Sequence, residues 1–151
     1  MKYVLFIIAA LGVPPLAFLF YMNRGWMRYA VWGMLAAMCL YHNTAINFFS
    51  DEFYRGSSRG MEVSVIHLLA FALILALIVC RRFKGWFPET GFWLYAIYFL
   101  LCLPSLKTAA DGMIAWYEIW KMIMLYLVYL AVYSYLNATG NVQFVFINLI
   151  H

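Results

Sequence analysis

Residues 63–80 read VSVIHLLAFALILALIVC, and this stretch decides the predicted fold class. It is apolar apart from Ser64 and His67, and it stops at the basic pair Arg81 and Arg82. The hydrocarbon core of a bilayer is crossed by an α-helix of roughly 20 mostly apolar residues, whose backbone groups bond within the helix. The stretch therefore predicts a membrane-spanning helix.

The composition of the whole chain agrees with that prediction. Of its 151 residues, 68% are hydrophobic and 11% are charged, whereas globular domains are roughly half apolar and a quarter charged. Ten Lys and Arg residues contribute to a net charge of +4, but they are scattered along the chain. We therefore expect no nucleic-acid partner, and we interpret the basic residues as signals of membrane topology.

Four further apolar runs predict an all-α fold, a polytopic transmembrane helix bundle with about five spans and a partial sixth. The polar breaks are short and no repeat of fixed period is found, so a single domain covering residues 1–151 is expected. The predicted spans are residues 3–22, 29–49, 63–80, 92–106 and 113–136, followed by a tail at 137–151.

The two ends of the chain carry their own expectations. The N-terminal apolar run is longer than the core of a signal peptide and lacks a small-residue cleavage site, so we expect a retained first span. Pro14 and Pro15 predict a kink within it. The tail turns apolar again after Gly140 but is too short to cross a bilayer. It indicates a sixth helix and a chain that is the front part of a larger protein.

The basic residues give a weak preference for one orientation. An outside N-terminus separates them into two sets, with Arg24, Arg28, Arg81, Arg82 and Lys84 in the cytoplasm and Lys2, Arg55, Arg59 and Lys107 outside. The dense group at residues 81–84 favours a cytoplasmic position for the third loop. The loop around Arg55 then faces the exterior or periplasm.

Residues 51–62, here called the R-G loop, hold two Arg-Gly pairs at Arg55–Gly56 and Arg59–Gly60. Arginine presents a planar fork of donors suited to phosphate oxygens, and glycine allows a close approach of the backbone. The four residues predict a site for a phosphate or pyrophosphate group at the membrane surface. The alternative interpretation is that the charged side chains of the loop only solvate it and pair with one another.

Two serines of the R-G loop, Ser57 and Ser58, are expected to cap the third helix. Glu62 would then lie near the positive N-terminus of that helix.

Several polar residues lie inside or beside the apolar runs. Asn43 and Asn47 are four residues apart, so they would share one face of a second helix and either bond to another helix or line a polar cavity. His67 stands alone in the third run, where an interior hydrogen-bonded histidine is more common than a ligand or proton carrier, although it too is a candidate for the cavity. We expect no metal site, because no second His or Cys lies at ligand spacing.

The fifth run holds Glu118 and Lys121 on one helical face, where they can partly neutralise each other near the headgroups. Tyr126, Tyr129 and Tyr133 continue along it at a spacing typical of a packing stripe. No nucleophile-and-base motif, P-loop or zinc motif occurs in the chain. Residues alone therefore indicate a polytopic membrane protein with a candidate anion site and leave its catalytic status open.

The segment YRGSSRGMEVS at residues 54–64, followed by an apolar helix and Arg81-Arg82, resembles the front part of O-antigen ligase and O-antigen polymerase-like membrane proteins. Residues 103–106 (LPSL) and 114–118 (IAWYE) continue the similarity, which runs from about residue 42 to 136. The resemblance implies glycosyl transfer from an undecaprenyl-pyrophosphate-linked glycan in bacterial polysaccharide assembly, including that of lipopolysaccharide. It places the chain in the bacterial inner membrane, with the reaction on the periplasmic side.

Members of that family are usually much longer, with essential Arg and His residues in a later periplasmic loop. This sequence ends before any such region, so no catalytic residue is assigned and no cofactor is expected. Two alternatives stay open: a small non-catalytic subunit of a larger membrane complex, and a lipid or solute carrier, for which repeats or paired broken helices would be typical.

Overall fold

The computed structural model describes residues 2–39, 45–48, 60–89, 91–109 and 112–140, and most of them are helical. The expected all-α character is thus confirmed at the level of helix content. In chain order the elements are α1 (Lys2–Met22), α2 (Arg24–Cys39), β1 (Ile46–Phe48), β2 (Met61–Val63), α3 (Val65–Val79), α4 (Phe92–Cys102), α5 (Ser105–Thr108) and α6 (Gly112–Thr139).

Three of the predicted spans agree closely with helices. Residues 3–22 correspond to α1, which continues through Pro14 and Pro15. Residues 63–80 correspond to α3, and residues 113–136 to α6. The span predicted at 92–106 is divided, because α4 ends at Cys102 and α5 begins after Pro104, whose ring supplies no backbone donor.

The helix predicted over residues 29–49 is wrong at its far end. The helix α2 ends at Cys39, and Ile46–Phe48 forms β1, which pairs with β2 in an antiparallel ladder. Asn47 lies opposite Glu62 in that ladder, so it cannot share a helical face with Asn43, which lies outside the described residues. Ile46 and Phe48 favour a strand, and the ladder satisfies backbone groups across strands instead of along one helix.

Within the described ranges, one helix is long and apolar enough to cross a membrane, namely Gly112–Thr139. Shorter apolar helical stretches are found at Ile7–Met22 within α1, at Val65–Val79, and at Phe92–Thr108, which contains α4 and α5.

The centre of the bundle is α3, which packs against α1, α2 and α6. Ala70, Ala72 and Ala76 are fully buried along it. Such small side chains let neighbouring helices approach closely. The core therefore surrounds α3, with Met34, Leu73 and Leu130 among its largest fully buried members.

The helices α3 and α6 run parallel and are tied near both ends. The Trp120 indole donates a hydrogen bond of 3.1 Å to the Glu62 carbonyl, just before α3 begins. At the other end the Arg82 guanidinium donates a bond of 3.4 Å to the Ala138 carbonyl. These two bonds fix the register of the first and last thirds of α6 against α3.

The helix α2 runs in the opposite direction. Met38, near its end, lies beside His67 at the start of α3, whereas Arg28, near its start, lies close to Tyr135. The beginning of α2 and the end of α3 therefore lie at the same end of the bundle. We call it the basic end, because it carries five basic residues: Arg24, Arg28, Arg81, Arg82 and Lys84. The sheet of β1 and β2 lies at the opposite end.

Candidate functional site

A pocket of about 250 Å³ opens at the sheet end of the bundle, between α2, α3 and α6. Its polar members come from three separate segments of the chain: Gly60 and Glu62 before α3, His67 within α3, and Trp120 and Lys121 on α6. We call it the polar pocket. Its apolar wall consists of Met38, Ile66, Met124, Leu125 and Val128.

Glu62 is held in the polar pocket through its backbone. It lies in β2, where it pairs with Asn47 of β1, and its carbonyl accepts the hydrogen bond from Trp120. Val63, which follows it, is buried, whereas Glu62 itself is half-buried. Successive side chains of a strand point to opposite faces, so the side chains of Glu62 and Val63 lie on different faces of β2.

His67 belongs to the start of α3. Its Nδ1 accepts a hydrogen bond of 2.9 Å from the Ser64 backbone N–H and lies 3.1 Å from the Ser64 hydroxyl. This is the reciprocal bond of a capping box, with histidine in the place that Glu or Gln usually occupies. A neutral ring whose Nδ1 accepts carries its proton on Nε2. The interpretation of His67 as an interior hydrogen-bonded residue is confirmed, since it is only 5% exposed.

The prediction that Ser57 and Ser58 cap the third helix is wrong. The helix begins at Val65, and the residue before it is Ser64. Ser57 and Ser58 lie outside the described residues. Glu62 lies in β2, shortly before Ser64, and is therefore close to the start of the helix.

The predicted anion site is described only in part. Gly60, from the second Arg-Gly pair, is buried and lines the polar pocket. Arg55, Gly56 and Arg59 lie outside the described residues, so their contribution stays a prediction. Asn47 contributes its backbone to β1, and of the proposed cavity residues His67 lines the polar pocket.

Sequence reasoning did not bring Glu62, His67 and Lys121 together. It associated Lys121 with Glu118 on the same helix, whereas the structure places the half-buried Lys121 in the wall of the polar pocket. The sequence did contain a signal for this position, because Lys121 is a charged residue within an apolar helix and follows Trp120. The missing information was the register between α3 and α6, which the bond from Trp120 to Glu62 supplies.

A second cavity, of about 460 Å³, lies along the other side of α3, against α1. We call it the apolar groove. Trp120 is a wall of both cavities, so its ring stands between the polar pocket and the groove. The remaining lining residues are apolar: Ala10, Val13, Val63, Leu68, Phe71, Ile74, Leu75 and Ile78.

The tyrosines of α6 act in packing. Tyr126 stacks on Tyr95 of α4, with ring centroids 5.0 Å apart, and its hydroxyl donates to the Trp86 carbonyl. The Tyr95 hydroxyl donates to the Met122 carbonyl. Tyr129 and Tyr133 continue the row of ring contacts along the helix. The stripe therefore holds α4 and the preceding loop against α6, as its spacing predicts.

The polar pocket combines a carboxylate, an imidazole, an ammonium and an indole in a largely apolar enclosure. Its ammonium can bind an anionic group and its carboxylate can accept a hydrogen bond from a hydroxyl. In the part of the chain that the structure describes, no group of three or more His, Cys, Asp and Glu side chains could hold a metal ion. The pocket is thus a mostly apolar cavity whose lining includes one acidic and one basic residue, Glu62 and Lys121.

Comparisons of the chain with protein-family models, with curated proteins and with solved structures gave no match.

Proposed function

We propose that the chain is a multi-pass protein of the bacterial inner membrane and the front part of an O-antigen ligase or polymerase-like glycosyl-transfer protein. In this proposal the polar pocket binds the anionic part of an undecaprenyl-pyrophosphate-linked glycan. The observation that carries it is the position of the pocket, which adjoins Gly60 at the end of the R-G loop and includes Lys121.

Exposed apolar side chains support several membrane spans. Leu11 on α1 is 68% exposed, Val79 on α3 is 56% exposed and Leu94 on α4 is 78% exposed. Side chains of this kind on every long helix would leave a bundle in water with large apolar patches, whereas lipid solvates them. The shorter helices then cross a locally thinner bilayer or extend through their flanking residues.

The separation of charge along the bundle supports the orientation. Five basic residues lie at the basic end, and the polar pocket lies at the sheet end. Under the positive-inside rule the basic end faces the cytoplasm, so the polar pocket opens on the periplasmic side. That is the side on which a lipid-linked glycan is used in the family that the sequence resembles.

Among the residues that line the polar pocket, Lys121 carries the positive charge that would attract a phosphate group. A half-buried ammonium surrounded by apolar side chains attracts phosphate more strongly than an exposed one, because the local dielectric is lower. Arg55 and Arg59 are expected to contribute further charge from the R-G loop. The proposal gives these residues the task of binding, and it assigns bond breaking to no residue of this chain.

A labelling experiment tests the proposal. The purified chain in nanodiscs is irradiated with a polyprenyl pyrophosphate carrying a photoreactive group at its head, and the labelled peptides are mapped. We expect labels within residues 60–67 and 117–125, reduced about tenfold by Lys121→Ala, which removes one charge-assisted bond. Lys107→Ala on α5 is the matched control and should change nothing. Equal labelling of the Lys121→Ala and unsubstituted chains would contradict the proposal.

A separate pair of variants examines the R-G loop. Arg55→Ala and Arg59→Ala should each weaken labelling at the head, because each removes a donor fork for phosphate. If both variants label like the unsubstituted chain, the loop only solvates itself and the arginine part of the proposal is lost.

One observation favours a second candidate, a subunit of a larger membrane complex. The helix α4 buries none of its residues, and Trp93 and Leu101 are each 72% exposed. Such a face suits contact with another membrane helix as well as with lipid. Copurification of a stable partner, lost on Trp93→Ala and Leu101→Ala substitution, would support this candidate.

A further inference from the structure

We infer that the basic end binds the headgroup of an anionic phospholipid between two turns that carry arginines. The first basic turn, residues 23–28, joins α1 to the start of α2, and the second basic turn, residues 81–84, follows α3. This site lies at the end of the bundle opposite the polar pocket. It depends on the proposed function only for the placement of the chain in a membrane.

The two basic turns meet at the end of α6. Arg28 of the first turn lies close to Tyr135, and the Arg82 guanidinium of the second donates to the Ala138 carbonyl at 3.4 Å. Tyr135 and Ala138 are three positions apart, so they lie on the same face of α6 within one helical turn. Arginines from two segments that are distant in sequence therefore lie beside the same part of one helix.

The second basic turn has a backbone conformation that favours glycine. Arg81 has a positive φ of 53°. Its N–H donates to the Ile78 carbonyl, and the N–H of Arg82 donates to the Leu77 carbonyl. This pair of bonds is the Schellman motif that ends many helices, in which the left-handed residue is usually glycine. An arginine there has a conformational cost that glycine avoids, and backbone strain of this kind is concentrated at functional sites.

The first basic turn is ordered by hydrogen bonds of its own. The Asn23 side chain accepts a bond of 3.0 Å from the Gly25 N–H, and the Asn23 carbonyl accepts one of 3.0 Å from the Trp26 N–H. The Arg28 guanidinium lies over the Tyr29 ring, 5.4 Å from its centroid. Trp26 and Tyr29 are exposed, and exposed Trp and Tyr rings are enriched at the depth of lipid headgroups. The turn therefore presents arginine on a fixed backbone at a suitable depth.

The acidic residues that the structure describes lie elsewhere in the bundle. Glu62 and Glu118 belong to the sheet end, where Glu62 lines the polar pocket. Glu89 lies beside Phe92 at the start of α4, which contacts Tyr126 near the middle of α6. All five basic side chains of the basic end are exposed. A cluster of cations at a membrane surface attracts anionic headgroups, with a gain of roughly fivefold in affinity for each charge.

An anionic phospholipid fits this arrangement better than a neutral one. Guanidinium groups form paired, charge-assisted hydrogen bonds with phosphate oxygens. In a neutral phospholipid the phosphate is accompanied by an ammonium group, which the arginines repel. The alternative is that the basic residues only set the topology during insertion and bind no particular lipid.

Lipid retention tests the inference. The full chain is extracted in a neutral detergent from bilayers of equal parts phosphatidylglycerol and phosphatidylcholine, and the lipids that stay bound are measured by mass spectrometry. We expect retained phosphatidylglycerol to exceed phosphatidylcholine by about fivefold or more. Equal retention of the two lipids would overturn the inference.

Arg81→Gly separates binding from folding, because it removes a charge and relieves the backbone at the same position. We expect retained phosphatidylglycerol to fall by about fivefold, while thermal unfolding in phosphatidylcholine nanodiscs stays the same or shifts to higher temperature. Arg28→Gln should lower retention to a similar extent from the other basic turn. Lys107→Gln on α5 removes an exposed charge outside both turns and should change neither measurement.

Three results would contradict the site. Arg81→Gly could retain phosphatidylglycerol like the unsubstituted chain, or Lys107→Gln could lose as much of it, which would indicate a general attraction of charge. Full displacement of the lipid by millimolar inorganic phosphate would indicate a site for a soluble anion. Head labelling of the polar pocket tests the proposed function independently, because Arg81 lies at the opposite end of the bundle.

Discussion

Two similarly apolar helices, α3 and α4, have opposite surroundings. In α3 every residue except His67 is apolar, and eight side chains are buried, namely Ile66, His67, Ala70, Ala72, Leu73, Ile74, Ala76 and Leu77. The equally apolar α4 buries none. Apolarity alone therefore does not determine which helix becomes the centre of the bundle.

The difference lies in the size of the side chains. Three alanines of α3 are completely buried, which lets α1, α2 and α6 approach it from three sides. Five of the eleven residues of α4 are aromatic, and two of them, Phe92 and Tyr95, contact Tyr126 of α6. Burial in this bundle therefore differs between two helices of equal apolarity, in parallel with the size of their side chains.

Replacing an alanine with phenylalanine in each helix should give the largest difference in stability. Ala72→Phe in α3 is expected to lower the free energy of unfolding by about 3 kcal/mol, because the fully packed core has no room for a ring. Ala96→Phe in α4 makes the same change beside an open cavity, and its cost should stay below about 0.5 kcal/mol. Unfolding in detergent measures both, and equal losses would remove the distinction drawn between the helices.

The starts of the two helices differ as well. The helix α3 begins with the bond from the Ser64 N–H to His67, whereas α4 follows Gly91, whose positive φ of 77° and missing side chain provide no cap. His67→Ala should cost about 1 kcal/mol of stability, and His67→Gln should recover most of it, because glutamine at this position also accepts the bond. If glutamine restores stability but not ligand labelling, His67 serves the pocket as well as the helix.

The attachment of α4 to α6 should be weak and local. Tyr126→Phe removes the bond to the Trp86 carbonyl but keeps the stacking on Tyr95. We expect a loss of about 0.5–1 kcal/mol, visible as faster proteolysis or hydrogen exchange at residues 86–102 and not as a change around α3. A uniform loss of protection through the bundle would mean that α4 is part of the central unit after all.

The smallest effect is expected inside the core. Ser134 on α6 is completely buried, and its hydroxyl has no hydrogen-bond partner among the described residues. Ser134→Ala should leave stability unchanged or raise it by less than about 1 kcal/mol, since it removes an unsatisfied polar group without creating strain. Thermal unfolding checks this, and a clear loss would show that the hydroxyl has a partner in the protein's working state.

Helix positions were largely accessible from the sequence, because the apolar runs are long and end at charged residues or prolines. The strand at residues 46–48 could not be predicted in the same way. A short strand beside a polar segment has the same local composition as the end of a helix, and its pairing with β2 is not visible in the local sequence. The polar pocket was missed for a related reason. Gly60 and His67 were identified as candidates separately, but their proximity to Lys121 depends on packing between helices.

The bond between Trp120 and Glu62 has a consequence for biogenesis. The two residues are 58 positions apart, and ribosomes add about 5–20 residues per second, so roughly 3–12 s pass between the synthesis of the two walls of the pocket. During that interval β2 has been synthesised, while the wall that carries Trp120 and Lys121 does not yet exist. The polar pocket therefore forms only after the start of α6 has been synthesised and has packed against α3.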